Sequence, residues 1–185
     1  MNFNITSLKP LSTLSRDNGF LFWNDLVQHI KNLPYGRNSK RDDFSLVLKE
    51  QKGSCSSKHA FLAEVARENN IDKIQLVLAI FKMNNSNTNI GNSLENSDID
   101  YIPEAHCYLK INNQNLDITS SNSSSEKIKD DILSEKIITP NQVIDFKVSY
   151  HQNFIKNWII QKNIKLSFEE VWYLREKCIE YLSKN

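Results

Sequence analysis

Gly53-Ser54-Cys55-Ser56-Ser57-Lys58-His59-Ala60-Phe61-Leu62 is a small, polar, glycine-led segment that runs straight into an apolar-periodic helix, with a cysteine at the junction. Ala60, Phe61, Leu62, Ala63, Val65 and Ala66 supply helix formers and one apolar face, so a helix is expected from Cys55 to about Asn69. Cys55 then stands at the helix N-terminus. Unpaired backbone N–H groups and the positive end of the helix dipole favour an anion there. A thiol so placed is expected to ionise below its ordinary pKa of about 8.5. Cys55 therefore reads as a nucleophile, and the rest of the chain must supply its base and its pocket.

Downstream, Asn69-Asn70 stops the helix, since Asn tolerates the left-handed conformation. Ile74 to Phe81 is short, apolar and β-branched, and reads as a buried strand. Residues 84–97 form a long Asn- and Ser-rich loop, a candidate lid. His106 to Ile111 alternates, with Cys107, Leu109 and Ile111 on one face and His106, Tyr108 and Lys110 on the other; Cys107 reads as core. Asn112-Asn113 is two-residue turn chemistry, and Asn115 to Thr119 follows as a second strand. Such a turn puts Asp117 opposite Tyr108, on one face with His106 as a diagonal neighbour. A slip of one residue would move Asp117 to the other face.

Beyond a serine-rich break at 120–125, residues 126–135 read as a short helix, 143–150 as a third strand and 154–160 as part of a helix. Ser167 and Glu170 form a capping box for a last helix carrying Cys178 in its apolar face. Upstream, residues 1–18 read as a loose lead-in. Gly19 to Leu33 is an amphipathic helix (Phe22, Trp23, Leu26, Val27, Ile30, Leu33) ended by Pro34-Tyr35-Gly36. Arg37, Lys40 and Arg41 are basic-patch candidates, but with Asp42 and Asp43 adjacent the segment reads as a solvated charged loop. Residues 44–49 fit a short helix or an extended piece equally well.

With 185 residues, 39% hydrophobic and 24% charged, the chain fits one α+β domain over 1–185 with a sizeable core. A net charge of +1 gives no field for nucleic acid, and no apolar run of membrane length occurs, so neither nucleic acid nor membrane is an expected partner. Three irregularly spaced cysteines and no signal-like N-terminus point to a reducing, cytoplasmic setting. Cys55, His59, His106 and Cys107 can be read as a metal set. Adjacent His106 and Cys107 point to opposite faces of a strand, so no metal and no cofactor is expected.

The order of these pieces resembles the transglutaminase-like superfamily of papain-like folds. The resemblance rests on Lys52 to Ala60, on the passage from Glu68-Asn69-Asn70-Ile71 to Leu76-Val77-Leu78, and on His106 to Ile111 and Leu116 to Thr119. It covers about 44–120; the helix at 19–33 and a helical extension at about 150–185 lie outside it. It implies a nucleophile helix packed on a small antiparallel sheet, and a Cys55-His106-Asp117 triad working through a thioester on a peptide, protein, or small amide or ester substrate. The reaction is then hydrolysis or acyl transfer, and the alternative is an inactive member that only binds a protein or peptide. Gln51 is the candidate second oxyanion donor, Trp23 and Tyr35 are candidate cleft walls, and His59 is a neighbour on the nucleophile helix.

Overall fold

The computed structural model describes residues 1–95 and 97–184, for 183 and 184 the backbone only; Asn96, in the expected 84–97 loop, lies outside the described residues. The described elements are α1 (Pro10–Asp17), α2 (Trp23–Asn32), α3 (Leu46–Lys49), α4 (Cys55–Glu68), β1 (Ile74–Met83), β2 (Ile102–Ile111), β3 (Gln114–Leu116), β4 (Ile132–Ile138), α5 (Asp145–Lys162) and α6 (Phe168–Lys184). The chain is α+β, with one antiparallel sheet of order β3-β2-β1-β4.

α4 forms where the glycine-led segment predicts. Ser54 caps it in a reciprocal pair with Ser57: Ser54 Oγ accepts from Ser57 N–H at 3.3 Å, and Ser57 Oγ from Ser54 N–H at 2.9 Å. Asn70 ends the passage at φ 59°, the left-handed turn that Asn tolerates. Phe61, Leu62 and Val65 are fully buried against Leu76, Leu78 and Ile80 of β1 and Cys107 and Leu109 of β2, with Leu26 and Ile30 of α2 closing the layer. Each such side chain contributes about 1.5–3 kcal/mol. A second core joins Phe81, Met83 and Ile102 to Ile155 and Trp158 of α5 and Val171 and Cys178 of α6.

The hairpin takes the predicted register. Asn112 and Asn113 both have positive φ, and Ile111 pairs with Gln114 and Leu109 with Leu116, which brings Asp117 beside Tyr108. β3 stops at Leu116, however, so among the described residues the half of β2 that carries Pro103 to Cys107 has β1 on one side and no strand on the other. Pro103 suits such an edge, having no N–H to pair. α4, α5 and α6 all pack on β2.

Four expectations are corrected. The lead-in contains α1, which starts with Pro10 at its first turn and is held by a carboxylate from elsewhere in the chain. Glu68 at the end of α4 accepts from Leu11 N–H (3.1 Å), Ser12 N–H (2.6 Å) and the Ser12 hydroxyl (2.5 Å), so the cap of α1 lies 56 residues away in sequence. The segment 126–135 is not a helix but two short 3-10 turns, Ser125–Lys127 and Lys129–Asp131, leading into β4, which pairs along the outer edge of β1. The expected strand at 143–150 is instead the end of a 3-10 turn, Pro140–Val143, followed by the first turns of α5. Val143, Lys147, Tyr150, His151, Phe154, Ile155 and Trp158 repeat at helical spacing, and this longer period overrides the imperfect alternation of the shorter run. The expected strand at 115–119 pairs only to Leu116 and then turns. The open choice at 44–49 resolves as the single turn α3.

Candidate active site

Cys55 is the first residue of α4, and backbone packing fixes its position. Gly53 N–H donates to Pro34 O and Gly36 N–H to Gly53 O, both at 3.2 Å, and Tyr35 pairs with Gly53 in a parallel bridge. This strap carries Tyr35 to the site. Gly53 has no room for a side chain, since a Cβ would lie 2.8 Å from Lys58 Cγ and 3.0 Å from Ser57 Oγ. The half-buried Cys55 side chain lies near His106 and Cys107 of β2, close enough for both to favour its ionisation, and it shares a cavity wall with His106 and Asp117. The edge matters because Cys107 faces the α4 core while His106 faces away. Only at an unpaired edge does the end of α4 reach both.

His106 Nε2 lies 2.9 Å from Asp117 Oδ2. That leaves Nδ1 as the ring nitrogen for Cys55. Asp117 is 8% exposed, and its other oxygen accepts from Thr119 N–H (2.9 Å) and Thr119 Oγ1 (2.7 Å). Burial opposes ionisation of the carboxyl, but His106, His59 and Thr119 outweigh it and hold the pKa well below the usual range. Burial likewise opposes protonation of His106, and Asp117 together with Cys55 overcomes this, raising the imidazole well above its ordinary value. The His106 and Phe81 rings meet edge-to-face, with centroids 6.0 Å apart.

His59 is a brace. Its Nδ1 lies 2.6 Å from the Cys55 carbonyl oxygen, and its Nε2 accepts from Ile118 N–H at 2.9 Å. Accepting from a backbone N–H requires Nε2 to be unprotonated, so Nδ1 carries the proton and the ring is neutral. Burial pushes its pKa down to about 4. Both ring nitrogens are thus engaged by backbone, and the metal set that included His59 lacks it as a ligand. Lys58, fully buried, donates to Leu33 O (2.6 Å) and Thr119 O (2.8 Å), tying the exit of α2 and the Asp117 turn to α4. Burial lowers its pKa to about 8.

Lys147, from the first turn of α5, places its ammonium 3.8 Å from Cys55 Sγ and donates to Ser56 Oγ. Burial works against thiolate formation at Cys55. Lys147 first, then His106 and the Cys107 backbone, more than offset it and bring the thiol down to about 6. Burial pushes the neighbouring Cys107 thiol the opposite way, up. Two residues before His106 and on the same face of β2, Glu104 is clamped by Arg175 of α6 through two bonds of 2.6 and 2.7 Å. Glu104 Oε2 also lies 3.8 Å from His151 Nε2, which is 2.8 Å from Pro103 O. These contacts fasten α5 and α6 to the edge of β2.

Two cavities meet at Cys55. The larger, about 640 Å³, is walled by Tyr35, Phe81, His106, Asp117 and the hydroxyl-rich 119–124 segment, with Thr88 and Asn89 of the expected lid along it. The smaller, about 240 Å³, lies toward the start of α4 and α5. The structure thus brings together Cys55, His106, Asp117, His59 and Tyr35. It does not bring Gln51, whose side chain is exposed and donates to Leu48 O at 2.6 Å at the end of α3. Nor does it bring Trp23, which is 1% exposed and stacked on Phe3 in the core. Sequence reading missed Glu104 and Lys147. Strand alternation from His106 was a usable signal for the first; the second was hidden by the mistaken strand at 143–150.

No helix among the described residues is long and apolar enough to cross a membrane. No protein-family model, curated protein or solved structure matches the chain.

Proposed function

We propose that the protein is a thiol-dependent amide or ester hydrolase or acyltransferase of transglutaminase-like type, with Cys55 as nucleophile, His106 as acid and base, and Asp117 as the group that orients His106. The observation that carries this reading is the His106–Asp117 contact of 2.9 Å on the same cavity wall as the Cys55 thiol, whose ionisation His106 favours. In the first half-reaction the Cys55 sulfur attacks the acyl carbon and the carbonyl oxygen gains the charge. As the intermediate collapses, His106 donates its proton to the departing nitrogen or oxygen, leaving a thioester and a neutral imidazole. Water or an amine then attacks the thioester while His106 takes its proton, and the Cys55 thiolate returns.

The developing oxyanion needs donors already aimed at it. The Cys55 N–H is one, since the first helical turn has no internal acceptor for it. Tyr35 takes the role expected of Gln51: burial and the nearby Cys55 charge keep its phenol protonated far above neutrality, so it is available as a donor on the same cavity. The test is a panel of peptide amides, aryl esters and thioesters assayed with the protein and its Cys55→Ala variant. Turnover that vanishes in the variant supports the reading. Turnover that survives, or no turnover across the panel, counts against it.

A further inference from the structure

The smaller cavity beside Cys55 has an unbalanced charge. Lys147 and Arg175 reach it from α5 and α6, and Arg37, Lys40 and Arg41 from the segment after the Pro34–Gly36 strap. Among the described residues only two carboxylates share that wall, and both are already engaged. Glu104 is held by Arg175, and Glu176 accepts from Arg37 at 2.8 Å and from Arg175 at 2.6 Å. Asp42 and Asp43, which made this stretch look like a self-compensated loop in sequence, are not part of the wall. Asp43 instead accepts from Ser45 N–H at 3.0 Å at the start of α3. Among the described residues neither Lys40 nor Arg41 forms an ion pair. The excess cations, Lys40 and Arg41, thus stand on the solvent-exposed wall of a cavity that Cys55 also lines.

We propose that this cavity binds an anionic group of the substrate, a carboxylate or a phosphate, so that Cys55 acts on an acyl compound charged on one side of the scissile bond. The larger cavity, hydroxyl-rich and with few charged walls, takes the other side. The inference rests on Cys55 being the nucleophile and adds the substrate class. A space of about 240 Å³ fits a short charged group and not an extended chain. An excess of positive charge on the wall, including the exposed Lys40 and Arg41, raises the local concentration of such a group.

The test compares two alkylating reagents that differ in one charge, iodoacetate and iodoacetamide. Each transfers its carbon to the Cys55 sulfur and releases iodide. The expected result is a faster reaction with iodoacetate, with a rate ratio that falls by about fivefold in the Lys40→Gln/Arg41→Gln double variant and shrinks with added salt. Both side chains are exposed, so the variant retains the fold. Succinate or inorganic phosphate should slow the wild-type reaction with iodoacetate; whichever protects identifies the anion. A ratio unchanged by the double variant, or protection by neither anion, overturns the proposal. The neutral reagent separates this outcome from failure of the nucleophile reading: slow iodoacetamide labelling with an ordinary thiol pH profile contradicts Cys55 as nucleophile, whatever the ratio shows.

Discussion

Lys147 is the residue whose removal separates the two influences on Cys55. A helix N-terminus and a histidine were both visible in the sequence, but the ammonium 3.8 Å from the sulfur comes from 92 residues away. Lys147→Met keeps the length of the side chain and deletes its charge. The thiol midpoint should then rise from about 6 toward the ordinary thiol range, while the His106–Asp117 contact at 2.9 Å persists. Alkylation rate against pH measures this directly, and an unmoved midpoint would assign the depression to His106 and the helix alone. His59 illustrates a different residue-scale lesson. It sits one turn from the nucleophile and looks catalytic by spacing, yet both ring nitrogens are taken by backbone groups, so it serves to hold the Ile118 backbone, and with it Asp117, against α4.

At the scale of elements, α1 depends on one side chain of α4. Glu68→Ala removes three hydrogen bonds from Leu11 and Ser12 and leaves buried donors unpaired, so it should cost about 2–3 kcal/mol of unfolding free energy in urea. Glu68→Gln, which retains acceptors, should cost less; equal losses in the two variants would contradict the capping role. The same element shows why sequence reading stopped short. α4, β1 and the Asn112-Asn113 hairpin were legible because their signals are local: a small-residue start, a β-branched run, and two consecutive residues tolerant of positive φ. α1, β4 and the first turns of α5 owe their form to distant partners, namely Glu68, the outer edge of β1 and the edge of β2. The placement of His106 beside Asp117 was legible because strand alternation and a two-residue turn set their faces. Gln51 and Trp23 were misplaced because nothing in their neighbours reveals where a side chain at the end of α3 or on α2 will point.

For the molecule as a whole, the buried histidines make stability depend on acid. His59 has a folded pKa of about 4 against an unfolded 6.5, so between those values the unfolded chain binds more protons and stability falls as pH falls. His29 and His151, also lowered by burial, act in the same direction. His106 is raised, so its contribution is fully present below pH 6.5 and is lost only as pH rises through its folded value. Cys55, lowered from 9.0 to about 6, gains stability with rising pH across that interval and opposes the loss from His106. The expected curve therefore drops between pH 6.5 and 4, by up to about 3 kcal/mol for His59 alone. Chemical denaturation across this range checks it, and His59→Gln should flatten the slope; a steeper slope in that variant would contradict a neutral, buried His59.

The relay from Cys55 to Asp117 is tested most directly by the pH dependence of iodoacetamide alkylation at Cys55, in the wild-type protein and in His106→Ala. A wild-type midpoint near 6, displaced upward with slower labelling at pH 6–7 in the variant, is the predicted result. A wild-type midpoint in the ordinary thiol range, unaltered by His106→Ala, would contradict it.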